Sequence, residues 1–234
     1  MLLAGAVFAV DRNMKLMYNI VKIKYREETA VENIKWLFFD IGSTLINEEK
    51  AYEHRFRDIA ETAGVPYETV YETAVNFYKQ NKKGDHEAAR FLGSPIPMWH
   101  KEDEEPYPEA AACLERLHGK YNIGIIANQS PGTKARLTEY GLIKYIDLVI
   151  ASAEEGVCKP DRKIFELAIE RAGCKPCEAV MIGDRIDNDI LPAKALGFHT
   201  ILIKQGFNRL RNISGEAEQP EYTAHSLSGI CDIL

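Results

Sequence analysis

Asp40, Lys159, Asp184, Asp187 and Asp189 are the residues of this chain whose types and spacing could do chemistry together. Asp40 ends the apolar run Trp36-Leu-Phe-Phe39 and is followed by Ile-Gly-Ser-Thr-Leu45. Such a run reads as a buried parallel strand that delivers a carboxylate to the carboxyl edge of a sheet. That edge is where open α/β sheets bind ligands. Ala127 with Asn128, Lys159 and Asp184 also fall at or just beyond the ends of apolar runs. Asp40, Asp184, Asp187 and Asp189 could not all stay ionised side by side without a compensating cation. A hard divalent ion meets that need, and Mg²⁺ is the usual choice where carboxylates and a phosphate share a metal. Lys159, in Cys158-Lys-Pro-Asp161, adds a positive charge able to neutralise a phosphoryl group or a carboxylate that attacks it.

The elements that must hold these residues can be read from periodicity. After the first strand, Tyr52, Phe56, Ile59, Ala60 and Ala63 share one helical face up to Gly64. Pro66 opens a second helix, whose apolar stripe is Tyr67, Val70, Tyr71, Ala74, Phe77 and Tyr78. A shorter helix over Asp85–Leu92 is closed by Gly93, Pro95 and Pro97, and the acidic run Glu102–Glu105 reads as a solvated loop. From Pro108 onward strands over 121–127, 146–151, 179–182 and 200–204 alternate with helices over 109–118, 133–140, 163–172 and 189–196. Pro192 fits the last of these helices only in its first turn. The segment Phe207–Pro220 reads as a polar loop, and Ser226–Leu234 as a closing helix.

The fold class is therefore α/β: parallel strands with crossover helices and a compact all-helical insertion. Residues 1–35 form an N-terminal extension, 36–46 and 108–234 the core, and 47–107 the insertion. Within the extension, Asn19–Tyr25 alternates as an edge strand would. Its first ten residues are apolar, but that stretch is too short to span a bilayer and lacks the basic start of a signal peptide.

The 234 residues, 46% hydrophobic and 27% charged, are enough to bury a substantial core, and a net charge of −6 argues against nucleic acid as a partner. Five scattered cysteines speak against a secreted disulfide framework and for the cytoplasm. Cys174 and Cys177 are the one close pair, without a second ligand pair for zinc or a thioredoxin-like setting, and read as loop residues.

Four segments together resemble the haloacid dehalogenase superfamily: Phe39-Asp-Ile-Gly-Ser-Thr-Leu45, Ile123-Gly-Ile-Ile-Ala-Asn128, Lys159-Pro160 and Met181-Ile-Gly-Asp-Arg-Ile-Asp-Asn-Asp189. Their order is similar to that of members whose small helical cap lies between the first two motifs, which implies a Rossmann-like parallel sheet with helices on both faces and residues 47–107 as the cap. The resemblance implies a Mg²⁺-dependent phosphatase in which Asp40 is the nucleophile and forms an aspartyl phosphate that water hydrolyses. It implies a metal held by Asp40, the Gly42 carbonyl and Asp184, with Asp189 nearby, and Lys159 paired with Asp40 and the phosphoryl group. Ala127, Asn128 and Lys159 would face a small phosphorylated substrate, with Trp99, His100 and Lys101 as further candidates in the cap.

Two positions depart from that pattern. Gly42 stands where phosphatases of the superfamily usually have a second Asp, the acid and base of the reaction. Its loss costs on the order of a hundred to ten thousandfold unless something substitutes, and Glu48, Glu49 or a bound water are the candidates. Ala127 stands where a hydroxyl normally bonds the phosphoryl group, and Asn128 or Ser130 could replace it. A weak or inactive relative that binds metal or phosphate is therefore the second reading. Carbon–halogen or carbon–phosphorus cleavage is the third, and the acidic fourth segment counts against metal-independent halide release. On this reasoning, Gly42→Asp is expected to raise turnover of poor leaving groups more than of good ones.

Overall fold

The computed structural model describes residues 33–234, so the expected edge strand at Asn19–Tyr25 lies outside the described residues. Residues Lys35–Leu234 form one compact unit. Its centre is β1 (Trp36–Phe39), in which Leu37, Phe38 and Phe39 are fully buried. β1 pairs in parallel with β4 (Asn122–Ala127) on one side and β6 (Ala179–Gly183) on the other. β5 (Leu148–Ala151) extends the sheet beyond β4, while β7 (His199–Ile203) and β8 (Tyr222–Ala224) extend it beyond β6. The order is β5-β4-β1-β6-β7-β8, all parallel. Strands buried on both faces carry near-continuous apolar runs, which is how Trp-Leu-Phe-Phe and Ala-Val-Met-Ile-Gly read. From β1 the chain runs outward through β4 to β5 and then crosses back to β6 on the other side of β1, so the crevice at their carboxyl ends is a topological switch point.

Helices cover both faces. Phe38 and Met181 pack with Ile164, Phe165, Ala168 and Ala193 of two helices, α7 (Arg162–Ala172) and α8 (Leu191–Leu196). Asp161 caps α7 by accepting from the Lys163 amide at 2.9 Å, and Pro192 occupies the first turn of α8 as the sequence requires. α4 (Ala110–His118) and α9 (Leu227–Ile233) pack on each other, with the free thiols of Cys113 and Cys231 3.4 Å apart. The short helices α5 (Thr133–Glu139) and α6 (Ser152–Glu155) complete the connections.

Between β1 and α4, a two-stranded antiparallel pair, β2 (Ile46–Asn47) with β3 (Glu105–Pro106), forms the stem of three helices. These are α1 (Glu49–Ala63), α2 (Tyr67–Lys79) and α3 (Gly84–Phe91). Their apolar stripes meet in a cluster built on Phe56, Ile59, Val70, Ala74 and Tyr78. Among the described residues no helix is long and apolar enough to cross a membrane.

The structure corrects the sequence reading in three places. Phe207–Pro220 is not simply a polar loop: Phe207 is buried in the helical cluster and stacks on Tyr78 at 5.4 Å, joining the chain after β7 to α1 and α2. β8 follows it as a sixth strand that three residues of weak pattern do not announce. The stretch from Asp189 is also not helical from its start. Ile186–Ile190 forms a wide turn, with the Asp189 and Ile190 amides both donating to the Arg185 carbonyl, and α8 begins only at Leu191.

Gly124 of β4 stands in register with Phe38, and a Cβ there would meet the Phe38 ring at 2.5 Å. That ring is sealed in the core and cannot swing away. Gly124→Ala is therefore expected to lower stability by about 1–3 kcal/mol through overpacking, read as the midpoint and slope of urea unfolding. A loss within error of zero would show that the ring has room to move.

Candidate active site

The carboxyl ends of β1, β4 and β6 bring the sequence-selected residues to one place. Asp40 follows β1 directly, and its amide still donates to the Ile182 carbonyl of β6 at 2.9 Å, so the sheet ladder fixes its backbone. Lys159 is 3% exposed, and its ammonium donates to Asp40 Oδ1 at 2.5 Å and to Asp189 Oδ1 at 2.6 Å. The other oxygen of Asp189 accepts from the Arg185 amide at 3.0 Å. Asp184 accepts from Asn208 Nδ2 at 2.7 Å. Carboxylate oxygens of Asp40, Asp184 and Asp189 all lie within 4.8 Å of one another.

The electrostatics follow from the count of charges. Burial holds the Asp184 carboxyl far above the usual carboxylate range, and repulsion from Asp40 and Asp189 adds to it. For Asp189 burial again raises the value, outweighing Lys159, because one ammonium is shared between two carboxylates. Burial alone would lower Lys159, but Asp189 and Asp40 together overcome it and hold the lysine charged. Three buried carboxylates against one ammonium are a set of hard oxygen donors short of positive charge, so the residues present fit Mg²⁺.

Asp187 does not join them. It turns outward, 48% exposed, and pairs with Arg185 at 2.6 Å and Arg211 at 3.1 Å. Ala127 is fully buried at the end of β4 and is absent from the cavity wall, whereas Asn128 lines the cavity. The Asn128 side chain is already occupied: its Nδ2 donates to the Lys159 carbonyl at 2.8 Å and its Oδ1 accepts from the Lys159 amide at 2.7 Å. It thus clamps the backbone of Lys159. Ser130 accepts from Lys101 on the surface. Of the other guesses, Trp99 lines the cavity, while His100 stacks on His54 at 3.5 Å and bonds Asp58 outside it.

Gly42 carries the most informative departure. A Cβ at Gly42 would meet the carboxyl of Glu48 at 2.5 to 3.0 Å, so Glu48 fills the space a side chain from position 42 would enter. Glu48 accepts from Ser43 Oγ at 2.8 Å and lines the same cavity as Asp40. Burial pushes its carboxyl up to about 8 against the Ser43 hydrogen bond, with Glu104, Asp40 and Asp85 adding repulsion. Glu49, the other candidate, is exposed and outside this cavity. The expectation for Gly42→Asp changes accordingly, because the new carboxyl would have to displace Glu48.

The cavity has a volume of about 370 Å³. Besides the residues above, it is lined by Tyr52 and Arg55 of α1, Lys83 and Asp85 at the start of α3, and Arg185 and Arg211. Spacing carried a signal for part of this set: Glu48, Tyr52 and Arg55 fall four and three apart, on one helical face. No local pattern marks Lys83, Asn208 or Arg211, which arrive through tertiary packing.

The chain is similar to known proteins along most of its length. Residues 34–197 match the model of the haloacid dehalogenase-like hydrolases. A glyceraldehyde 3-phosphate phosphatase of Methanocaldococcus jannaschii is 28% identical over 226 residues, 86% of this chain and 97% of its own length. A ribulose-1,5-bisphosphate 5-phosphatase of Halopiger xanaduensis is 37% identical over 203 residues, 85% of this chain and 76% of its own. A crystal structure of a HAD phosphatase from Thermococcus onnurineus superposes with a TM-score of 0.58 at 24% identity, covering 86% of this chain and 97% of that one.

The crowding of carboxylates has a measurable consequence. Asp184→Asn removes a carboxyl that is costly to bury beside Asp40 and Asp189 while keeping an acceptor for Asn208, so near neutral pH and in the presence of a chelator it is expected to stabilise the protein by roughly 1–3 kcal/mol. Added Mg²⁺ should raise the thermal midpoint of the parent protein and leave that of the variant unmoved. A destabilised variant that still responds to Mg²⁺ would contradict this account of the site.

Proposed function

The chain belongs to the haloacid dehalogenase-like hydrolases, and from that premise we propose that it is a Mg²⁺-dependent phosphatase of small phosphorylated metabolites. The observation that carries this reading is the ammonium of Lys159 held between Asp40 and Asp189, with Asp184 close by, at the mouth of the sheet. Relatives described as phosphatases of glyceraldehyde 3-phosphate and of ribulose 1,5-bisphosphate support the substrate class. The three helices over 47–107 serve as a cap that contributes Glu48, Arg55 and Lys83 to the cavity.

In the proposed reaction, an oxygen of Asp40 attacks the phosphorus atom and the bond from phosphorus to the leaving oxygen breaks. Lys159 orients Asp40 and balances the charge that gathers on the phosphoryl oxygens. Asp40, the Gly42 carbonyl and Asp184 would hold Mg²⁺, with Asp189 beside them, and the ion would neutralise phosphoryl charge during transfer. Asn208 keeps Asp184 turned toward the site. Glu48 takes the role that Gly42 cannot fill: its protonated carboxyl gives a proton to the leaving oxygen, and its carboxylate then takes one from the water that attacks the phosphorylated Asp40. Water attack releases inorganic phosphate and restores Asp40. The Ser43 hydroxyl fixes the Glu48 carboxyl in place.

An aryl phosphate assayed with and without Mg²⁺ tests the reading. Turnover should require the metal, and Asp40→Asn should lower kcat by at least about a thousandfold. Glu48→Gln should lower kcat/KM, which reports the transfer to Asp40, by about a hundredfold or more on alkyl phosphates, whose leaving groups need a proton, and less on p-nitrophenyl phosphate. Equal losses of kcat/KM on both would remove Glu48 from protonation of the leaving group. Mg²⁺ binding without turnover on a broad panel of phosphate esters would favour a binding protein instead, the reading that the apolar Ala127 suggests.

A further inference from the structure

The cavity that holds Asp40 and Lys159 is lined by four more cationic side chains: Arg55, Lys83, Arg185 and Arg211. They come from α1, from the residue before α3, from the turn after β6, and from the segment after Phe207–Leu210. Their carboxylate partners are fewer. Arg55 pairs with Asp85 at 2.6 Å, while Arg185 and Arg211 share the half-exposed Asp187. Lys83 is an exposed residue with no ion-pair partner among the described residues, and partial desolvation together with the neighbouring Arg55 and Arg185 holds its ammonium below the usual lysine range.

A purely structural role, tying the helices to the sheet, explains part of this cluster. It accounts for Arg211 Nη2 donating to the Lys82 carbonyl and for the Arg55–Asp85 pair. It does not account for the donors left over. Arg55 and Arg211 are each 7% exposed, and the Nε of each is buried without a hydrogen-bond partner. Buried donors are rarely left unmatched, and a guanidinium presents its nitrogens as a planar fork suited to carboxylate or phosphate oxygens. Two orphaned guanidinium donors and an unpaired ammonium on one cavity wall are a half-built anion site.

We propose that Arg55, Lys83 and Arg211, with Arg185 beside them, bind a second anionic group on the substrate, a carboxylate or a second phosphate, while its scissile phosphoryl group meets Asp40 and Lys159. The inference rests on the phosphatase reading and narrows it to substrates with two anionic ends. Such a substrate supplies negative charge to a wall where four cations share the carboxylates of Asp85 and Asp187. A cavity of about 370 Å³ has room for two such groups joined by a short carbon chain.

The test uses pairs of phosphate esters that differ in one anionic group. Phosphoglycolate against ethyl phosphate, and 3-phosphoglycerate against glycerol 3-phosphate, probe a carboxylate. Ribulose 1,5-bisphosphate against ribulose 5-phosphate probes a second phosphate. The doubly anionic member of at least one pair should have a kcat/KM about tenfold or more above its partner, the size expected for new charge-assisted hydrogen bonds. Lys83→Met should shrink that ratio, and the change should lie in KM rather than kcat. Ratios near one in every pair, or ratios that Lys83→Met leaves intact, would overturn the proposal while leaving the phosphatase reading standing. Thermal shifts of Asp40→Asn with each ligand keep the two ideas separable. If no ester is turned over, a larger shift from the doubly anionic ligand that Lys83→Met abolishes still supports the anion site, and equal shifts overturn it.

Discussion

One ammonium set among three buried carboxylates governs how this molecule is put together. Lys159 touches Asp40 and Asp189 directly and leaves Asp184 without a cation. Such an arrangement is costly in a low-dielectric interior unless further positive charge is supplied. The surrounding structure works to hold it nonetheless. The sheet ladder grips Asp40, Asn128 clamps the lysine backbone from both sides, the Arg185 amide holds Asp189, and Asn208 restrains Asp184. Two of these restraints fix the backbone behind Asp40 and Lys159, and two hold the carboxylates of Asp189 and Asp184, which would otherwise turn away to relieve the repulsion.

At Gly42 the space that a side chain would take is occupied from another element. Removing a side chain from the loop after β1 opens a space that Glu48, six residues later and at the start of α1, enters from the other side. The two residues belong to different elements, yet the carboxyl arrives next to Asp40 in the same cavity. The buried setting that makes this carboxyl hold its proton is supplied by the helices over the sheet as much as by the sheet itself. The cationic wall has the same origin, since Arg55 and Lys83 belong to the helical insertion and Arg185 and Arg211 to the core.

Much of the fold was legible because its signals are local. Apolar runs that stop at a polar residue or a glycine mark the parallel strands, and glycines and prolines mark the helix ends, so β1, β4 to β7 and the helices over 47–107 were all anticipated. β8 was not, because Tyr222–Ala224 owes its place to pairing with β7 rather than to any strong pattern of its own. Phe207 looked like part of a polar tail, since a single aromatic among polar residues carries no period. Only the helices that enclose it make it core.

By itself the sequence determined that Asp40, Asp184 and Asp189 meet at one edge of a parallel sheet, because strand direction and chain order leave those strand ends nowhere else to go. Lys159 was expected at a strand end too, but it lies beyond β5 and α6 and reaches the carboxylates through packing. The sequence could not separate Asp187 from that group, since the choice depends on which acidic side chain of a short turn finds an arginine outside and which finds a lysine within. Nor could it choose between Glu48 and Glu49, adjacent residues of one type. A helix turns about 100° per residue, so where α1 docks decides which carboxyl faces Asp40 and which faces water. Contacts between elements distant in sequence are set by packing, and that is where the acid beside Gly42 and the unmatched donors of Arg55 and Arg211 were decided.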